Sequence, residues 1–130
     1  SMARTATRTV TVKRRAEMAT IELRAGETTL GSLRGVAGTV GDSATMSGQF
    51  THAPAYADFT ERFLALATAM RDGDAARAAA ERATLESAGV HVYHAQHEMR
   101  IDRPASVHMV GGEICFTPND AYLMMRTGGL

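Results

Sequence analysis

The chain reads as a two-layer α+β domain, a mostly antiparallel sheet packed against a helical hairpin with a short C-terminal helix. Three observations lead there. Period-two alternation of apolar residues marks strands on both sides of the middle third of the chain. That middle third carries helical periodicity, interrupted once at Gly73 and Asp74. A Gly111-Gly112 dipeptide then sits between two apolar runs, the form of a tight hairpin.

The bulk composition agrees with one domain. A chain of 130 residues with 45% apolar content can bury roughly two-thirds of its unfolded surface in a single core. Fourteen basic residues balance fourteen acidic ones, so no global field favours nucleic acid or an anionic membrane, and self-association near neutral pH is expected. A single cysteine, Cys115, excludes an internal disulfide and a multi-cysteine zinc site. No apolar run reaches membrane-spanning length and no signal-peptide core follows the first arginines, so the expectation is a cytoplasmic protein with no membrane association.

Ser1 before Met2 reads as the remnant of a cleaved tag, and residues 1–8 as a flexible basic arm ahead of a domain over 9–130. Arg4, Arg8, Lys13, Arg14, Arg15 and Arg24 outweigh Glu17 and Glu22. A basic arm can grip phosphates, yet no aromatic residue is there to stack on bases, so nucleic acid is disfavoured as a partner. Thr9–Lys13 and Ala19–Arg24 alternate as half-buried strands, with Ala25-Gly26-Glu27 as the next turn and a third strand from Thr28 to Leu33. The glycines between Gly31 and Gly41 lack the Gly-Lys-Ser/Thr ending and the following helix of a phosphate loop. Bulges or close backbone packing explain them better. Thr45–Phe50 reads as a further strand.

Pro54 suits a first helical turn, with Thr51 or His52 near the cap. Tyr56, Phe59, Phe63, Leu66 and Met70 follow at steps of three and four, one buried stripe. Gly73 can close this helix and Asp74 cap the next, an alanine-rich helix over Ala75–Ala88 that Gly89 ends. Its small side chains allow tight packing on the first helix or on another subunit. Residues 90–101 then read as one strand ending at Asp102-Arg103-Pro104. Residues 106–117 form the Gly-Gly hairpin, and Pro118-Asn119-Asp120 starts a terminal helix over Ala121–Arg126.

The histidines decide the functional reading. His91, His94 and His97 stand three apart. On a helix they would converge. On a strand His94 faces away from the other two, and His91 and His97 lie roughly 20 Å apart. The strand reading puts His91, Tyr93, Ala95, His97, Met99 and Ile101 on a core-facing side, and Val90, Val92, His94, Gln96, Glu98, Arg100 and Asp102 on the other. A metal site would then need ligands across strands, with His97, His108 and Cys115 as candidates for zinc or haem iron. For acid–base chemistry the first candidates are His97 and His52 as bases, with Asp102 or Glu98 as partners. A ligand pocket between sheet and helices would be lined by Tyr56, His91, Tyr93 and His97. Cys115, between Ile114 and Phe116, reads as a buried small hydrophobe.

No catalytic motif unites these residues and no cofactor is required by them. The primary expectation is a non-catalytic, self-associating binding or assembly module, a homo-oligomer open to a protein partner. Its support is the zero net charge, the alanine-rich helix and the Met124-Met125 pair near the C-terminus, from a chain of eight methionines. The alternatives are a small-molecule-binding protein or enzyme with a histidine acid–base, and a metal- or haem-binding domain.

Overall fold

The computed structural model describes residues 21–38 and 45–127. The basic arm, the strand expected over residues 9–13 and the last three residues lie outside them. The described elements are β1 (Ile21–Ala25), β2 (Thr28–Gly38), β3 (Met46–His52), a 3-10 turn (Pro54–Asp58), α1 (Thr60–Arg71), α2 (Ala75–Ser87), β4 (Val90–His94), β5 (Met99–Arg100), β6 (His108–Val110), β7 (Glu113–Phe116) and α3 (Asp120–Thr127). The seven strands form one sheet in the order β5-β4-β1-β2-β3-β7-β6, with every pair antiparallel. The α+β class and the helical hairpin are as the sequence predicts. Among the described residues no helix is long and apolar enough to cross a membrane.

The sheet is one-sided because its registers stack apolar residues in rows. Leu23 lies opposite Val92, and Ile21 opposite both Leu33 and His94. Gly48 lies opposite Ile114, and Met46 opposite Phe116. Leu23, Leu33, Val92, Ile114 and Phe116 are completely buried, as are Leu30, Leu66 and Ile101. Each such side chain contributes about 1.5–3 kcal/mol of burial. From the helical layer Phe63 and Leu66 of α1 and Ala78 and Leu85 of α2 close over them. Gly31 is required for close approach: a Cβ there would strike the Phe50 ring and the Thr51 carbonyl. The glycine-rich run is thus mainly β2, with a register shift between Arg34 and Ala37.

Turn chemistry sets the helical layer. Asp74 caps α2 by accepting the Arg77 amide at 3.1 Å. Gly89, at φ +88°, ends the layer, where a Cβ would stand 2.9 Å from the Gly26 nitrogen. The helix expected from Pro54 starts later. Pro54–Asp58 form a 3-10 turn, Phe59 at φ −116° separates it from α1, and Thr51 and His52 belong to β3. Tyr56 is buried from that turn, while Phe59 and Met70 pack partly on the core.

The strand expected over residues 90–101 is instead a hairpin. Ala95–Glu98 form a turn closed by the Glu98 amide donating to the Ala95 carbonyl at 3.2 Å, with Glu98 at φ +53°. The faces of β4 are also the reverse of the expectation. Val90, Val92 and His94 point into the core, and His91 and Tyr93 lie on the open face. Apolar residues occupy both parities of this strand, so the choice falls to its neighbour: the register with Ile21 and Leu23 turns the even positions inward.

Candidate functional site

The open face of the sheet carries Glu22, Arg24 and Thr29 beside His91 and Tyr93. The Arg24 guanidinium lies 3.8 Å over the Tyr93 ring and pairs with Glu22 at 2.9 Å. His91 packs edge-on against Tyr93, and its Nδ1 stands 2.8 Å from the Gly89 carbonyl. Tyr56 lies under the other face, among Phe50, His52 and Phe63, with its hydroxyl 3.7 Å from the Met109 sulfur. Burial pushes the Tyr56 phenol up. The sheet therefore separates Tyr56 from His91 and Tyr93, while His97 sits exposed on the 95–98 turn. These four candidates do not line a common pocket. Between the layers the space is filled by Leu23, Leu30, Leu33, Phe63, Leu66 and Phe116.

The acid–base candidates are likewise dispersed. His52 ends β3 and stacks on Tyr56 at 5.5 Å between ring centroids, with β2, β1 and β4 between it and the β5 edge. Glu98 is exposed. Asp102 is 1% exposed, and its carboxylate is taken up by donors: the Val92 amide at 2.9 Å and the Arg100 guanidinium at 2.9 and 3.1 Å. Arg100 also makes a forked pair with Glu86 at 2.8 and 3.1 Å, and Glu86 accepts the Ala105 amide at 3.0 Å. The Arg100 hydrogen bonds hold the Glu86 carboxyl below its usual range, against a smaller opposing effect of burial. This network clamps β4, β5 and the C-terminal end of α2 together. Its chemistry is structural.

Of the metal candidates, His108 and Cys115 do face each other across the β6–β7 hairpin. His97 belongs to the far edge of the sheet. Among the described residues no three His, Cys, Asp or Glu side chains come together in a metal-binding group. Burial pushes the Cys115 thiol up, and the nearby Glu113 adds to it, as befits an unreactive buried thiol. His108 is held below the usual imidazole value by burial, partly offset by its contact with the Ser106 carbonyl, with the Arg82 charge a smaller lowering effect.

Two features lay beyond the sequence reading. One is a pair of histidines: the turn brings His97 back so that its ring centroid lies 4.7 Å from that of His94. The other is an apolar groove of about 450 Å³ between α1 and the β6–β7 hairpin, lined by Ala67, Met70, Arg71, Met109, Val110 and Gly111. Leu64, at 59% exposed, shares the helix flank of Ala67 and Arg71, and Val110 is 57% exposed. The helical period points to Leu64 and Ala67 sharing a flank. Only the fold reveals that β6 lies beside them. Met124 is exposed in α3 and Met125 packs partly on the core.

Comparison of this chain with protein-family models, with curated proteins and with solved structures finds no match.

Proposed function

We propose that this domain is a non-catalytic assembly module that pairs with a second copy of itself through the β6 edge and the groove beside it. The observation that carries the reading is the apolar strip formed by Ala67, Met70, Met109 and Val110 in the groove along that sheet edge, with exposed Leu64 one turn away on the same flank of α1. Among the described residues β6 pairs with β7 alone, and His108–Val110 contains no lysine, carboxylate or proline to repel an incoming strand. Antiparallel pairing of one edge with itself is the two-fold solution, which doubles each contact and closes the assembly. A chain of zero net charge brings no long-range repulsion to such a pairing. The filled space between the layers favours recognition at the surface over a ligand held inside. A cytoplasmic setting accords with the lone, buried cysteine.

Sedimentation velocity over a micromolar to millimolar range tests this. The expected result is a discrete dimer that Val110→Lys and Leu64→Glu convert to monomer. A native chain that stays monomeric throughout overturns the reading.

A further inference from the structure

His94 is the last residue of β4, on the core face, and is only 8% exposed. Its Nδ1 is sealed from solvent with no hydrogen-bond partner, the one such buried side-chain nitrogen or oxygen among the described residues. An orphaned buried polar atom is costly, about 1–3 kcal/mol, and where it persists an ion or water is a common explanation. Tyr122 of α3 packs on one side of the ring at 6.2 Å between centroids, and His97 on another at 4.7 Å.

That second spacing suits chelation. An imidazole nitrogen sits about 2.0–2.1 Å from a bound first-row metal, which puts the ring centroid roughly 3.2 Å from the ion. Two centroids 4.7 Å apart would subtend about 95° at an ion that a nitrogen of each ring faced, the angle between adjacent ligands in a square-planar or octahedral shell and narrower than a tetrahedral one. The rings are inclined at 53° to each other, so they are not locked face to face. His97 is exposed on its turn, giving the ion a way in. No third His, Cys, Asp or Glu is gathered with them among the described residues, so these two imidazoles supply the protein ligands.

We infer that Nδ1 of His94 and the ring of His97 form a two-imidazole site for a divalent transition-metal ion, with Cu(II) or Ni(II) preferred over Zn(II) on grounds of angle. Metal ligation requires neutral imidazole. The pair lies at the β5–β4 end of the sheet, opposite β6, so it stands or falls independently of assembly.

The test titrates chelator-treated protein with Cu(II), followed by calorimetry and electron paramagnetic resonance. One ion per chain with a tetragonal spectrum showing two nitrogen ligands is expected. His97→Ala should weaken binding at least tenfold while His91→Ala, on the opposite face, leaves it unchanged. Circular dichroism shows whether each variant is folded, and because His97 is exposed its removal does not threaten the core. Absence of binding, binding that survives His97→Ala, or an equal loss in His91→Ala overturns the site.

Discussion

The two edges of the sheet solve the same problem in opposite ways. At β5 the strand is two residues long, and its Arg100 is committed to Asp102 and Glu86, so the edge is held by charge and closed by a turn with Glu98 in the left-handed region. At β6 the three residues carry no formal charge, and the next surface is the apolar groove against α1. Edge strands invite pairing unless something blunts them. One end of this sheet is therefore held by charge, while among the described residues the other carries no such guard.

The sharpest way to break the contrast is at the closed edge. Asp102→Ala leaves Arg100 short of a partner and the Val92 amide without its acceptor. Removing one member of a buried ion pair costs about 3–5 kcal/mol, and partial exposure of Arg100 places the expectation near the lower value. Equilibrium urea unfolding reads it directly, and a loss under about 1 kcal/mol would show that the edge does not depend on this carboxylate.

Acid probes the two ends through different groups. His108 is held low by burial, so it binds fewer protons folded than unfolded. Its contribution is intact above the ordinary imidazole value of 6.5 and is lost as pH falls from there toward the lower folded value. Glu86 is held low by Arg100, so its contribution survives that window and is lost only further down, through the carboxylate range. His94 shifts in the same direction as His108, so comparing the native chain with His108→Asn isolates the β6 side. Unfolding curves that coincide in shape from neutral pH to the carboxylate range for both proteins would remove the assignment.

Glu86→Gln is milder, since both Glu86 and Arg100 keep about a third of their side chains in solvent. About 1 kcal/mol is expected by denaturant titration, with reduced acid sensitivity. Smallest in stability is Val110→Lys at the open edge, expected within about 0.5 kcal/mol of the native chain, while under the proposed pairing it should abolish association. A large stability loss there would mean that Val110 supports the fold instead of an interface.

Much of this architecture was legible beforehand because punctuation residues sit where the backbone needs them. Asp74 caps, Gly89 stops a helix with positive φ, and Gly111 at φ +60° opens the hairpin turn. The 95–98 turn was not legible: Ala-Gln-His-Glu contains no glycine, proline, asparagine or aspartate, and the left-handed position falls to Glu98. That one unmarked turn hid the meeting of His94 with His97. Which side of β4 faces inward was equally hidden, since Val90, Val92, Tyr93 and two histidines offer apolar surface at both parities until β1 pairs with it. Separated residues such as Asp102 and Glu86 are joined only by Arg100 reaching between them, a contact with no local signal.

Asn119 adds a consequence for how the chain is assembled in time. Its amide donates to the Ile101 carbonyl, its Nδ2 to the Arg100 carbonyl, and its Oδ1 accepts the Tyr122 amide at the start of α3. A single side chain thus fastens the last helix to the shortest strand. During synthesis the β4–β5 hairpin has to wait for residues beyond Pro118 to leave the ribosome before this fastening can form, and a chain cut at that point, with the Arg100 and Ile101 carbonyls stripped of these donors, should show faster amide exchange across β4 and β5 while β2 and β3 stay protected.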